Sequence, residues 1–360
     1  MNVLIIFNSD ISVHRRYLTD QVTDDFMNEL IEKGHHVSLF GQFIKGETES
    51  DFKNYKVRVY GLTRKKNKLV NYIILYYFSI RYILKADFIY VYYPSSFKYI
   101  PLLCLALGKK YGIHVRGQKD LYSRVTTFFY KKAVTVLSIS SEFSRKINDL
   151  CGVHKSVMIA RSLIPYTEKD IEFCREYNSK KEYNLLFLAR VEFDKGIDEL
   201  LKAIKIVKER GYKAKLSIIG DGGYLPVVKS TIVDLGISDS VELVGPIWDY
   251  RIKAEFYKKS DIYILPSYHE GFPQTLHEAM VFGTPIITTM VGGIPSLMVD
   301  RVNCLSILPK SVESIVSALD YSFNNYPMMG SFAKNGMKDI YSIVDSSKPT
   351  HAEQLLSIIS

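Results

Sequence analysis

The sequence predicts an α/β chain of two Rossmann-like domains, each built on a parallel sheet, facing one another across a cleft. Three observations predict it. Short apolar runs alternate with helix-period stripes from the first residues onward. A polar stretch interrupts this rhythm near the middle, after which the rhythm restarts. The length of 360 residues suits two domains of roughly 100–200 residues each.

Val3-Leu-Ile-Ile-Phe7 is a short apolar run of the kind a buried parallel strand needs. Leu18, Val22, Phe26 and Leu30 then recur every fourth residue as a helix stripe. Gly34 stops that helix and His36-Val-Ser-Leu-Phe40 opens the next strand. Strand, helix, strand with short links is a βαβ unit. Further strands are expected near Phe88–Tyr92, Gly112–Val115, Val134–Ile139 and Val157–Ala160. Residues 1–163 form the first domain in this reading. Residues 164–183, rich in Glu, Lys, Asn and Ser, form a link. Residues 184–335 form the second domain, with strands at Asn184–Ala189, Lys215–Ile219, Val241–Val244, Ile262–Leu265 and Ile286–Thr288 and a helix at Ile197–Arg210.

Apolar residues make up 47% of the chain, enough for two ordinary cores without a membrane span. The N-terminus lacks the basic leader and small-residue cleavage site of a signal peptide. Leu69 to Leu84 is the most apolar stretch. Asn71, Ser79 and Arg81 interrupt it, and it falls short of the roughly 20 apolar residues of a span. Cys104, Cys151, Cys174 and Cys304 form no CxxC pair, which fits reduced thiols in the cytosol. The net charge of +9 is uneven: residues 1–160 hold 24 Lys/Arg against 13 Asp/Glu, and the remainder 23 against 25. A basic first half suits either an anionic partner, such as a membrane surface, or simple solubility. The basic, aromatic segment Arg64 to Lys85 is read either as an interfacial membrane helix or as a helix whose aromatic stripe packs on the sheet.

Two segments carry chemistry. In Glu270-Gly-Phe-Pro-Gln-Thr-Leu-His-Glu278, Pro273 suits the first turn of a helix, where its missing N–H costs nothing. The N–H groups of Gln274 and Thr275 would then be free to bind an anion. Glu270 precedes the helix and Glu278 lies a turn inside it. In Ala189-Arg190-Val-Glu-Phe-Asp-Lys195-Gly196, a strand-to-helix loop presents two cations. A departing diphosphate needs fixed positive charge of this kind.

These motifs resemble the retaining family 4 glycosyltransferases, firmly over residues 184–320 and loosely over 1–160. The resemblance implies the GT-B fold and transfer of a sugar from a nucleotide diphosphate donor to a glycan or lipid-linked acceptor of cell-surface polysaccharide. It implies that Glu278 binds the donor ribose, Glu270 contacts the transferred sugar, and Arg190 and Lys195 hold the diphosphate. Gly271, Phe272, Pro273, Gln274 and Thr275 fall on its donor-binding loop. Gly220-Asp221-Gly222 and Pro246-Ile247 resemble further donor-binding segments, and Gly292-Gly293 a glycine pair near the donor sugar. By the same analogy a C-terminal helix within residues 336–360 crosses back to the first domain.

The first half departs from the pattern. Where the family carries a glycine-rich loop, this chain has Arg15 and Arg16, which either supply charge in its place or lie on the surface. Arg116 stands where the family has a histidine, with His114 two residues earlier, and Arg161-Ser162 replaces an Asn-Gly pair. Arg116 is taken as a catalytic candidate, and Arg15, Arg16, His114 and Arg161 as acceptor- or phosphate-side candidates. No DxD pair, P-loop or HExxH is present, so neither a metal nor another cofactor is expected beyond the nucleotide sugar as co-substrate. Nucleic acid is not an expected partner, and the chain is read as cytoplasmic, either soluble or peripheral on the cytosolic face of a membrane. The competing readings are a non-catalytic nucleotide-sugar-binding subunit and a GT-B nucleotide-sugar epimerase.

Overall fold

The computed structural model describes residues 1–12, 18–43, 48–52, 55–63, 67–93, 97–117, 123–271 and 273–360. They form two compact units, residues 1–163 with 348–360, and residues 164–347.

The first unit follows the order β1 (Asn2–Ile11), α1 (Gln21–Glu32), β2 (His36–Phe43), β3 (Arg58–Thr63), α2 (Lys68–Lys85), β4 (Phe88–Tyr93), α3 (Ile100–Ala106), β5 (Lys110–Val115), α4 (Arg124–Lys132), β6 (Val136–Ser138), α5 (Ser141–Cys151) and β7 (Ser156–Met158). Its sheet has seven strands in the order 3-2-1-4-5-6-7, all parallel. The second unit contains β8 (Glu182–Leu188), α6 (Ile197–Glu209), β9 (Lys213–Ile219), α7 (Leu225–Asp234), β10 (Val241–Gly245), α8 (Tyr250–Lys259), β11 (Ile262–Leu265), α9 (Gln274–Val281), β12 (Ile286–Thr289), β13 (Leu305–Ile307), α10 (Val312–Asn324) and α11 (Tyr326–Tyr341). Its six strands run 10-9-8-11-12-13, again all parallel. Helices cover both faces of each sheet, which is why the strands read as continuous apolar runs. In both sheets the order reverses beside the first strand. That reversal opens a crevice at the carboxyl ends of the strands, where ligands bind in open α/β sheets.

The chain then returns to the first unit through α12 (His351–Ile359). Thr350 caps it in a reciprocal capping box with Glu353, and Ala352 and Leu355 are buried in the core beside α1.

Residues 164–183 are not a free link. Ile164, Tyr166, Ile171 and Tyr177 are buried in the second unit. The Tyr177 hydroxyl donates to the Gly283 carbonyl at 2.7 Å, and the Arg175 guanidinium donates to the Phe282 carbonyl at 2.8 Å. Residues 336–341 complete α11 of the second unit rather than starting a terminal crossing helix.

A buried polar cluster joins α12 to the first sheet. His114 Nδ1 lies 3.2 Å from His351 Nε2, and the Tyr90 hydroxyl lies 2.8 Å from the same His351 nitrogen. Burial disfavours the imidazolium, so His114 titrates well below its ordinary value and His351 is pushed down to about 3. In the second unit burial takes His277 to about 4. An unfolded chain therefore binds protons at these sites first, as pH falls below about 6.5. Stability is full above that value and is lost on acidification, at up to ~1.4 kcal/mol per pH unit for each histidine. Urea unfolding at pH 7.5 and 5.5 is expected to show a lower midpoint at pH 5.5; equal midpoints would contradict the depressed values.

Candidate functional site

The candidate residues of the second unit gather at the carboxyl ends of its strands, on both sides of the point between β8 and β11 where the strand order reverses. The loop after β8 carries Arg190 and Lys195, the loop after β9 Gly220 to Gly222, and the stretch after β10 Pro246 and Ile247. The loop after β11 carries Glu270 and Gly271 and leads into α9, and Gly292 follows β12.

Close backbone packing fixes these loops. Gly220 has φ +144°, and a Cβ there would lie 1.9 Å from the Ala189 carbonyl oxygen. Its N–H donates to the Gly245 carbonyl at 3.0 Å, and the Asp221 carbonyl accepts from Val191 N–H at 2.9 Å. The ends of β8, β9 and β10 are thus stitched side by side. The Asp221 carboxylate accepts from Gly222 N–H at 2.8 Å, a turn-forming bond. Pro246 is exposed, and half-buried Ile247 packs on the apolar cluster below α9. Gly292 has φ +61°, and a Cβ there would meet the Glu270 carbonyl oxygen at 1.7 Å. Gly293 N–H donates to the Gly271 carbonyl at 3.0 Å.

The two glutamates sit in different electrostatic settings. Glu270 Oε1 accepts from Lys195 Nζ at 2.7 Å and from the Ser267 hydroxyl at 2.7 Å. The ion pair is largely desolvated, with the two side chains 8% and 10% exposed. Glu278 Oε2 accepts from the Tyr257 hydroxyl at 2.9 Å. Burial raises the Glu278 carboxyl above its ordinary value, against the opposing charge of Lys253 and the Tyr257 hydrogen bond. Tyr257 is fully buried on α8. The Tyr263 hydroxyl donates to Thr275 Oγ1 at 2.7 Å.

Between the glutamates lies the open end of α9. Pro273 is the residue just before its first turn, and the backbone N–H groups of Gln274 and Thr275 have no acceptor among the described residues. The Gln274 side-chain oxygen is buried without a partner among the described residues. Arg190 is exposed and makes no side-chain hydrogen bond or ion pair among the described residues. Arg190 follows β8 and the open end of α9 follows β11, two neighbouring strands. A guanidinium and helix N–H groups uncommitted among the described residues are groups that can bind an anion. Phe272 lies outside the described residues.

The first-unit candidates are placed differently. Arg116 donates to Asp20 Oδ2 at 2.8 Å and contacts the Thr23 hydroxyl at 3.4 Å. Asp20 is also the N-cap of α1. Burial alone would raise the Asp20 carboxyl, but the Arg116 charge and the hydrogen bonds from Arg116 and Thr23 bring it below its usual range. His114 corrects the sequence reading. It is 1% exposed, stacks on Tyr92 with ring centroids 4.6 Å apart, and its ring meets α12. It lies in the core, because α12 covers the β5 position where it sits. Arg161 is half-buried; the Glu353 carboxyl is held low chiefly by the Thr350 N–H and by Lys33, with the Arg161 charge a minor addition. Arg15 and Arg16 lie outside the described residues.

Sequence reasoning missed Tyr257, Tyr263 and Ser267. Ser267 stands three residues before Glu270. Tyr257 and Tyr263 belong to α8 and β11, and nothing in their local pattern signals that their hydroxyls face α9. Among the described residues no group of three His, Cys, Asp or Glu side chains is arranged to hold a metal ion.

Comparison with known proteins bears on the family and the fold. Residues 169–339 match the family model of glycosyl transferases group 1. An uncharacterized glycosyltransferase of Methanocaldococcus jannaschii is 30% identical over 175 residues, 48% of this chain and 44% of that protein. The putative teichuronic acid biosynthesis glycosyltransferase of Bacillus subtilis is 27% identical over 207 residues, 55% of this chain and 50% of that protein. The matches thus span about half the length of these relatives. Among solved structures, sucrose-phosphate synthase of Thermosynechococcus elongatus superposes with a TM-score of 0.74 at 15% identity, covering 99% of this chain and 98% of that one. HepE of Anabaena, in complex with UDP, gives 0.72 at 14% identity over 100% and 99%. These likenesses establish the GT-B fold.

The Gly292 contact generates a prediction. Gly292→Ala must displace the Glu270 carbonyl and hold a non-glycine residue at positive φ. It is expected to cost about 1–3 kcal/mol of stability, read as a lower urea midpoint. Gly223→Ala, where a Cβ meets nothing closer than 3.7 Å, is the control. Equal midpoints for the two variants would show that the loop is not packed as described.

Proposed function

From a chain that carries a glycosyl transferases group 1 segment in a GT-B fold, we propose that this protein is a retaining, metal-independent glycosyltransferase. It moves a sugar from a nucleotide diphosphate donor to a glycan or lipid-linked acceptor of cell-surface polysaccharide. The observation that carries the proposal is the single rim holding free Arg190, the open N-terminus of α9, the Lys195–Glu270 pair and the anchored Glu278. Relatives described as acting in teichuronic acid and capsular polysaccharide biosynthesis, and a similar fold solved with UDP-glucose, support the donor and acceptor classes.

Each group has a role in this reading. The diphosphate lies against the α9 N–H groups and Arg190, whose fork suits two phosphate oxygens. The Lys195 ammonium has three donors. One is used by Glu270, and the others turn to the phosphate, so the charge that develops on the leaving group meets positive charge already in place. Glu278, fixed by Tyr257, offers its second oxygen to the donor ribose. Glu270 faces the transferred sugar, where positive charge grows on the ring as the bond to phosphate breaks. The acceptor is assigned to the first unit. Its hydroxyl oxygen bonds to the anomeric carbon from the face the diphosphate leaves as the bond to phosphate breaks, and its proton passes to the departing phosphate oxygen, which retains the anomeric configuration.

Kinetics separate the two glutamates. The ribose does not react, so Glu278→Gln is expected to raise donor KM more than it lowers kcat, and Glu270→Gln chiefly to lower kcat. Arg190→Ala should reduce kcat/KM by roughly 10- to 200-fold, the worth of a charge-assisted hydrogen bond of about 1.5–3 kcal/mol. The deciding experiment is turnover of nucleotide sugars in excess EDTA with the product read by proton NMR. Product that keeps the donor's anomeric configuration is expected. An inverted product, or activity restored only by magnesium or manganese, would refute the mechanism, and nucleotide-sugar binding without turnover would favour the non-catalytic subunit.

A further inference from the structure

Helix α2 is apolar on both sides, although among the described residues only one side is buried against the sheet. Its inner stripe, Leu75, Ser79, Tyr82 and Ile83, is buried against the first sheet. On the opposite side Leu69, Ile73, Tyr77 and Leu84 are 69%, 61%, 71% and 52% exposed. At 100° per residue these four fall within one quadrant of the helix, so they form a stripe and not scattered exposures. Isolated surface apolar residues are ordinary, whereas a contiguous apolar patch marks an interaction site.

The patch continues beyond α2. Tyr76 Oη accepts from Tyr99 N–H at 2.9 Å, which sets the start of α3 beside α2. There Tyr99 and Leu102 are about half exposed. Tyr99 in turn meets Phe129 of α4 edge-on, next to exposed Phe128.

The charge around the patch identifies what covers it. The 18 residues of α2 include no Asp or Glu, but three cations, Lys68, Arg81 and Lys85. Lys109 Nζ donates to the Leu84 and Ala86 carbonyls at 2.8 and 2.9 Å, adding a cation at the helix end. This lies in the half of the chain that carries the entire basic excess. Glu49, which accepts from the Tyr82 hydroxyl, and exposed Asp87 beyond the helix end are acids beside α2. The helix itself carries an apolar, aromatic outer stripe with cations and no carboxylate, which matches the boundary between lipid headgroups and acyl chains in an anionic leaflet. No described helix is long and apolar enough to cross a membrane, so α2 lies along the surface.

We propose that the outward face of α2, continued by the starts of α3 and α4, docks the first unit onto an anionic lipid surface. Leu69, Ile73, Tyr77 and Leu84 enter the headgroup boundary, and Arg81 and Lys85 meet the lipid phosphates. The proposal is independent of the donor site, which lies in the other unit.

Flotation of the full chain with vesicles of phosphatidylcholine alone, or with phosphatidylglycerol added, tests it. Binding is expected only with phosphatidylglycerol and should weaken as salt rises. The Ile73→Asp, Tyr77→Asp double variant should lose at least ~10-fold in bound fraction with its melting temperature unchanged. Arg81→Glu with Lys85→Glu should lose binding most strongly at low salt. Equal binding to both vesicle types, or binding to neither, would overturn the proposal. So would a concentration-dependent dimer by light scattering that the Ile73→Asp, Tyr77→Asp variant abolishes, which would assign the face to a second copy.

Discussion

The candidate site depends on one desolvated ion pair, Lys195 with Glu270. It joins the loop after β8 to the loop after β11 across the position where the sheet order reverses. Taking both charges out of water is costly, and the pair holds only because its geometry is short and Ser267 supplies a further hydrogen bond. Removing either partner would strand the other charge in a buried place. The surrounding backbone leaves no slack: Gly292 lies against the Glu270 carbonyl, and Gly220 against Ala189. Packing as well as charge therefore holds the Lys195–Glu270 pair, as electrostatic catalysis by preorganised groups requires.

Around that pair the second unit divides its polar groups into held and free. Glu270 and Glu278 are each anchored through one oxygen, by Lys195 and Tyr257. Arg190 and the first N–H groups of α9 are left uncommitted among the described residues. Anchored carboxylates beside free anion-binding groups suit a ligand with a hydroxylated part and a phosphate part. In the first unit two of the candidate groups are committed to neighbours: Arg116 to Asp20, and His114 to Tyr90 and His351.

The strand–helix rhythm was legible because central strands such as β4, β11 and β12 are buried on both faces and helices such as α1 and α6 on one, so burial writes itself into the period. β3 and β13 were missed. The former carries Gly61 amid Arg, Tyr and Thr, and the latter is only Leu305–Ile307. The supposed link was misread because its anchors, Ile164, Tyr166, Ile171 and Tyr177, follow no helical or strand period. The glutamate motif and the Arg190–Lys195 loop were legible as local patterns. Their pairing was not, since Lys195 and Glu270 are 75 positions apart. For the same reason the burial of His114 could not be read, as its partner His351 lies 237 positions away.

The most direct test of this account is a double-mutant cycle of Lys195→Met and Glu270→Gln, read both by urea unfolding and by turnover of a nucleotide sugar. The account predicts strong coupling in stability: each single variant leaves a buried group unpaired and loses about 3–5 kcal/mol, and the double variant regains part of the loss. It also predicts that no variant, the double included, recovers turnover, because both groups act on the donor. Additive stability losses together with near-normal turnover in the double variant would contradict it.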